Sequence, residues 1–319
     1  MLKIGVLGVG NMGRNHVRNI LELPNKYHLI GCYETNTENK QIAKDAFGVT
    51  FFDTAEALLA ETDAVVIALP SFLHKEYGLL AAKHGNHVLM EKPIALSSAD
   101  GQVLTEAFKT AGKTLMVGHV ERFNPVVSEM LKIVANEKVT AIDIKRCSPY
   151  DPRIADTSVI FDLMIHDLDI LLSMVNNDIK TMHAAGACIK PDNDFVDHVQ
   201  TMLTLTDNTI VTVCASRATE DKIRTIDIYT ENALIRGDLL NKTLYITRRA
   251  ILANSYGNSA TYRQESIVEK VVLTNTEPLK AEHIEFCKAI AENRESIACG
   301  YTSNKALQLA ERVNSLVNP

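Results

Sequence analysis

Three short stretches carry residues whose types and spacing could do chemistry. LGVGNMGRNH, residues 7–16, places glycines at 8, 10 and 13 and is followed about 20 residues on by Glu34. LMEKPIAL, residues 89–96, sets Glu91-Lys92-Pro93 after an apolar run. FDLMIHDLDILLSMV, residues 161–175, places Asp162 and His166 four apart, on one face of a helix, with Asp169 three further on and near that face.

Each stretch implies a task. A glycine triad that follows a strand and opens a helix is a phosphate cradle. Gly8 allows the tight turn, Gly10 lets a pyrophosphate approach the backbone, and Gly13 lets the helix pack on the strand. The helix N-terminus, at Asn11 and Met12, adds free N–H groups and partial positive charge. Glu34 at the end of the second strand suits the ribose hydroxyls and would repel a 2′-phosphate. Thr35, Asn36 and Thr37 follow it with no arginine, so the expected cofactor is NAD rather than NADP. The competing readings are a ligand-free turn and a solvated strand-end glutamate. Lys92, just past a strand, lies where open parallel sheets bind ligands, and an X–Pro bond offers a cis form that would fix its direction. A plain Lys-Pro turn is the other reading. Asp162, His166 and Asp169 on a helix made apolar by Leu163, Ile170 and Leu171 suggest a cleft; a solvated His–Asp pair is the alternative.

The elements that must position these groups fall into two patterns. The first alternates strand and helix. Strands are expected at Lys3–Leu7, His28–Tyr33, Thr50–Phe52, Asp63–Leu69, His87–Met90 and Thr114–Val117. Helices are expected at Arg14–Leu23, Glu38–Phe47, Lys75–His84 and Ser98–Ala111. Continuous apolar strands between helices mean a parallel sheet covered on both faces, an α/β Rossmann-type domain over residues 1–120. Beyond it, a helix at Val126–Asn136 precedes a strand at Val139–Arg146. Extended runs follow at Ile179–Ile189, Asp197–Leu205, Thr209–Ser216, Arg224–Thr230, Leu234–Asp238, Thr243–Thr247 and Ser266–Leu273. Asp207-Asn208 is a hairpin signal. Residues 121–319 thus form an α+β domain on a large, mostly antiparallel sheet. Helices at Lys280–Asn293 and Ser303–Val317 close the chain, the last packing back on the first domain.

The totals bound the answer. The chain has 319 residues, 46% apolar, and a formal net charge of −6. That length fits two domains, and the charge gives a nucleic-acid role no support. No apolar run is long enough to span a membrane and no secretory leader is visible, so a cytoplasmic protein is expected. The six cysteines show no CxxC pair and read as buried thiols in a reducing compartment, with no metal site.

Taken together, Gly8 to Gly13, Leu69-Pro70-Ser71 with His74, and Glu91-Lys92-Pro93 resemble the Gfo/Idh/MocA oxidoreductases along essentially the whole chain. The resemblance implies that Pro70, Ser71, His74 and Glu91 lie near the cofactor and that Lys92 points at the reaction centre. It implies that Asp162 and His166 are the catalytic Asp and His of the second domain. Thr157 to Met164 lack the glycines that many members carry beside this aspartate, which argues against a cyclitol or free-sugar dehydrogenase. GHVERFNP, residues 118–125, with FDLMIHDLD resembles the bacterial branch that oxidises the 3-hydroxyl of UDP-N-acetylglucosamine for lipid A type amino sugars.

Oxidising a secondary alcohol needs a hydride acceptor and a base. A positive ring nearby and burial both disfavour the charged form of a lysine, and an imidazole already titrates near neutrality. Lys92 and His166 would share the proton, His166 as direct base and Asp162 orienting. Arg122, Asn124, Tyr150 and Arg153, with His166, are the candidate groups for a sugar nucleotide, arginine suiting bidentate phosphate contacts. An ordinary surface ion pair is the other reading of Arg153. A homodimer or homotetramer is what the family resemblance implies. A catalytically silent NAD-binding sensor is the reading from another functional class.

Overall fold

The computed structural model describes residues 1–151, 157–189, 195–256 and 259–318, with backbone only for 250–256 and 259–265. It divides into two compact units: Met1–Phe123 with Thr276–Glu311, and Asn124–Asn275 with Arg312–Pro319. Among the described residues no helix is long and apolar enough to cross a membrane.

The first unit runs β1 (Leu2–Leu7), α1 (Asn11–Leu21), β2 (Tyr27–Tyr33), α2 (Thr37–Phe47), α3 (Ala55–Ala60), β3 (Ala64–Ile67), α4 (His74–His84), β4 (His87–Met90), α5 (Ser98–Ala111) and β5 (Leu115–Val117). Its strands form a parallel sheet in the order β2-β1-β3-β4-β5. Ala64 to Ile67 have no exposed surface, as expected of a strand covered on both faces. Local signals set the helix ends. Asn36, Thr54 and Ser97 cap α2, α3 and α5 by accepting from backbone N–H groups, and Gly48, Gly85 and Gly112 close α2, α4 and α5 with positive φ. α3 was not expected; six residues are too few for a helical period to show. The expected strand at Thr50–Phe52 reduces to one parallel bridge, Cys32 to Phe51.

The second unit holds α6 (Pro125–Val134), β6 (Val139–Cys147), α7 (Ile165–Met174), and β7 (Ile179–Ala187) to β13 (Ser259–Lys270). Between the last two lie β8 (His198–Leu205), β9 (Ile210–Ser216), β10 (Ile223–Thr230), β11 (Ala233–Asp238) and β12 (Thr243–Tyr256). Eight strands pair in the order β13-β12-β11-β10-β6-β9-β8-β7, antiparallel except for the parallel pair β6 and β9. Asn208, at φ 68, turns the β8–β9 hairpin as its sequence signals. β12 and β13 are longer than expected and pair to Tyr256–Ser259. Ile142, Ile144, Val211, Val213, Ile226 and Ile228 fill the inner face, while Ile210, Tyr229 and Val268 stand on the outer face. Two helices complete the chain, α8 (Pro278–Ala291) in the first unit and α9 (Gly300–Val317), divided between the two.

The cysteines depart in part from expectation. Cys32, Cys147, Cys214 and Cys299 are buried free thiols, but Cys287 is half-buried and Cys188 is exposed.

Candidate functional site

The carboxyl ends of the parallel strands gather the first set of groups. The strand order reverses between β1 and β3, the place where such sheets bind ligands. Gly8 to Gly10 leave β1 here, Pro70 and Ser71 follow β3, Glu91 and Lys92 follow β4, and Gly118 follows β5. Backbone bonds carry the ladder into these turns: Ala68 N–H to Leu7 O at 2.8 Å, Glu91 N–H to Ile67 O at 2.9 Å, and Gly118 N–H to Met90 O at 2.7 Å.

The glycine loop differs glycine by glycine. Gly8 has φ +87, and a Cβ there would lie 2.7 Å from Ala68 O. A Cβ on Gly13 would lie 2.0 Å from Gly8 O, so only glycine lets α1 seat against the loop. A Cβ on Gly10 would meet nothing within 4 Å. Gly10 is also the N-cap of α1 and supplies no side-chain acceptor, whereas Asn36, Thr54, Ser97 and Asn124 do so for α2, α3, α5 and α6. Space beside Gly10 and a helix start without a side-chain cap fit a pyrophosphate. Asn11 and Met12 are exposed at this end; Asn11 Oδ1 accepts from Arg14 at 2.7 Å.

Glu34 is nearly buried, and backbone donors hold it. Its Oε2 accepts from Val9 N at 2.9 Å, and its Oε1 accepts from Thr35 N at 2.8 Å and Asn36 N at 2.9 Å. A carboxylate has about four lone-pair sites. Glu34 therefore ties the glycine loop to strand β2, with one site left for a ribose hydroxyl, where the sequence reading gave it both.

His74 is buried between the turns at the strand ends. Its Nδ1 lies 2.7 Å from Pro93 O and its Nε2 lies 2.9 Å from Leu69 O, so it braces the turns after β3 and β4. Burial lowers its pKa against the two carbonyls, which raise it. The Lys92–Pro93 bond is cis. Glu91 Oε2 accepts from Lys92 N at 3.2 Å, and its Oε1 lies 2.8 Å from His16 Nε2. A Cβ on Gly118 would come within 3.2 Å of Glu91 Oε2, so the carboxylate would have to give by a few tenths of an ångström.

Arg122 is buried in the first unit, where its Nη1 donates to the carbonyl of Ile297. Asn124 is buried in the second unit and caps α6, its Oδ1 accepting from Val126 N at 3.1 Å and its Nδ2 donating to Leu239 O at 3.3 Å. Tyr150 is half-buried after β6, and Arg153 lies outside the described residues.

In the second unit the expected single helix over 161–175 opens with a π turn, Ile160–Met164, before α7. π turns inside helices occur often at functional sites. Asp162 and His166 are both half-buried. Asp169, one helical turn on from His166, is fully buried. Asp167, also on α7, forms a buried pair with Arg146, with both carboxylate oxygens 2.9 Å from Arg146 Nε and one of them 2.8 Å from Nη2.

The sequence reading missed the polar groups behind Glu91: His16, Tyr27, Glu282 and His283, all buried. A signal was present. His16 shares the buried face of α1 with Gly13, Val17 and Ile20, and Glu282 and His283 share that of α8 with Leu279, Phe286 and Ala289.

Comparison with known proteins places this arrangement. Residues 2–119 match the oxidoreductase family with an NAD-binding Rossmann fold, and residues 143–236 match the Gfo/Idh/MocA C-terminal domain. A UDP-N-acetylglucosamine 3-dehydrogenase from Acidithiobacillus ferrooxidans is 29% identical over 99% of this chain and 97% of its own. A solved structure of that enzyme superposes with a TM-score of 0.87 over the same shares. An inositol 2-dehydrogenase from Paracoccus denitrificans is 30% identical over 56% of this chain and 55% of its own.

Proposed function

Because the chain belongs to the Gfo/Idh/MocA family of NAD-binding oxidoreductases, we propose that it oxidises the 3-hydroxyl of UDP-N-acetylglucosamine, for amino-sugar biosynthesis of the lipid A type. The observation that carries the substrate is full-length likeness to a dehydrogenase of that nucleotide sugar, against likeness over about half the chain to an inositol dehydrogenase.

Bound NAD would supply the acceptor for the hydride of the alcohol carbon. The chain's own residues do the rest. The N–H groups at the start of α1 hold the pyrophosphate, Gly10 leaves room for it, and Glu34 fixes the loop and faces the ribose. Lys92, at the end of β4, and His166 share the alcohol proton. His166 is the direct base, Asp162 orients it, and His74 holds the turns that carry Lys92. Arg122, Asn124, Tyr150 and Arg153 are the groups for the nucleotide diphosphate and the sugar hydroxyls. Arg122 and Asn124 also hold the carbonyls of Ile297 and Leu239. Ile210, Tyr229 and Val268, 49%, 38% and 61% exposed on one outer sheet face, support pairing with a second copy.

The test is kinetic. Lys92→Met and His166→Asn should each lower kcat by roughly 10²-fold or more while NAD still binds. Near-normal turnover in Lys92→Met removes the lysine role, and an unchanged pH–rate profile in His166→Asn removes the histidine role.

A further inference from the structure

Behind the Glu91 turn lies a single file of buried polar side chains that the chemistry above does not use. Glu91 Oε1 is 2.8 Å from His16 Nε2, and His16 Nδ1 is 2.9 Å from His283 Nε2. His283 Nδ1 is 3.2 Å from Tyr27 Oη, which is also 2.9 Å from His283 O. His16 and His283 have no exposed surface and Tyr27 is 3% exposed. The file ends beside Cys287, a half-buried thiol that lines a surface groove of about 510 Å³ with Met1, Leu2, Lys26 and Lys288.

The same heavy atoms accept two complete proton arrangements. In the first, Tyr27 O–H donates to His283 Nδ1, His283 Nε2–H to His16 Nδ1, and His16 Nε2–H to ionised Glu91. In the second, protonated Glu91 donates to His16 Nε2, His16 Nδ1–H to His283 Nε2, and His283 Nδ1–H to Tyr27 Oη. The Tyr27 hydroxyl then donates to the carbonyl of His283. Every donor has an acceptor in both, and the second arrangement holds one proton more than the first. Simple core filling needs no such reversibility; a conduction path does.

We infer that Glu91, His16, His283 and Tyr27 form a proton-exit path from the Lys92 end of the sheet to the Cys287 groove. The inference rests on the reading of Lys92 as a proton partner of the alcohol. Oxidation sends a hydride, with its electron pair, to NAD and leaves one proton. That proton passes from the Lys92 ammonium, directly or through one water, to Glu91. In the second arrangement Glu91 hands it to His16 Nε2 as His16 Nδ1–H moves to His283 Nε2 and His283 Nδ1–H moves to Tyr27 Oη. The original Tyr27 proton leaves toward the groove and water, which puts the file in the first arrangement. Return of both imidazoles from Nε2–H to Nδ1–H, with no proton gained or lost, readies the file for the next turnover.

The charged and titratable neighbours are arranged for this. Burial raises the Glu91 carboxyl, but the hydrogen bond from His16, with Lys92, outweighs it and leaves it below the usual value, so it passes a proton on. Burial, then the Glu91 charge, pushes Glu282 well up. Burial lowers His283 well below the usual imidazole value. Burial, then Cys287, pushes the Tyr27 hydroxyl up, and Lys26 and the N-terminal amine face Cys287 at the outlet.

The experiment uses Tyr27→Phe, which removes one hydroxyl, and His283→Phe as the second variant, each checked for NAD affinity. The expected result is turnover roughly tenfold lower in dilute buffer and restored by added imidazole, with the parent protein insensitive to buffer. Wild-type rates, pH profile and buffer insensitivity in folded, NAD-binding variants overturn the path. A second readout needs no turnover: ¹⁵N NMR of the two imidazoles in the protein without substrate. The path predicts that His16 and His283 exchange Nε2–H for Nδ1–H together as pH falls; fixed tautomers overturn it. If Lys92→Met turns over normally, the site reading fails, and the NMR result alone decides the path.

Discussion

Replacing Gly10 with alanine separates a cofactor cradle from a tight turn. Gly10 sits at φ −61, ψ −164, a conformation open to any residue, and its added methyl would meet nothing within 4 Å. The folded protein should barely notice. Replacing a glycine cap by alanine costs about 0.5–1 kcal/mol, and reduced freedom of the unfolded chain returns about 0.4–1 kcal/mol. Bound NAD should notice, because the methyl occupies the space through which the pyrophosphate reaches the α1 N–H groups. Losing two charge-assisted hydrogen bonds at about 1.5 kcal/mol each weakens binding by about 3 kcal/mol, roughly 100-fold. Isothermal titration with NAD and thermal melting read the two effects separately. Gly13→Ala is the contrast: its Cβ would lie 2.0 Å from Gly8 O, so that variant should lose stability as well as binding. A Gly10→Ala protein that binds NAD as the parent does would refute the cradle.

Other perturbations read the supporting structure. Arg146→Met leaves Asp167 charged and buried and should cost about 3–5 kcal/mol in denaturant unfolding; pairing it with Asp167→Leu should recover most of the loss. Burial, then Glu91, raises the folded pKa of Glu282. Its contribution is therefore complete below the unfolded carboxyl pKa and is lost as pH rises toward the folded value. Glu282→Gln should accordingly gain stability over the parent as pH rises above the unfolded carboxyl pKa, by at most about 1.4 kcal/mol per pH unit. A melting difference that stays constant with pH would count against a neutral buried acid. His87 Nδ1 accepts from Thr114 N at 3.0 Å, and burial, then Lys113, pushes its pKa down to about 4. The unfolded chain binds the extra proton first, so stability falls between pH ~6.5 and ~4, and His87→Asn should flatten that decline in a melting series.

Much of this was legible because local chemistry and tertiary role coincide. α5 and β4 begin and end at the residues their caps and apolar run indicate, since Ser97, Gly112 and the buried Val88-Leu89-Met90 act within a few residues. Gly8, Gly10 and Gly13 are readable because each answers a backbone demand. What escaped depends on distant partners. The length of β12 and β13 is set by their mutual pairing, not by alternation in either strand. The π turn at Ile160–Met164 leaves no trace in a helical pattern. Arg146 stands at an inward position after Ile142 and Ile144, a signal that something buried must answer it, but Asp167 is known only from the fold. The file behind Glu91 joins residues 16, 27, 91 and 283, a set that no window of sequence brings together.

The most direct measurement is growth of the NADH absorbance band with purified protein, excess NAD and UDP-N-acetylglucosamine. A parallel sample holds myo-inositol, and an aminotransferase with its amino donor draws off the keto product. The account predicts NADH with the nucleotide sugar alone and its loss in Lys92→Met. NADH with inositol and not with the nucleotide sugar would contradict the proposed substrate, and no NADH from either would contradict the proposed oxidation itself.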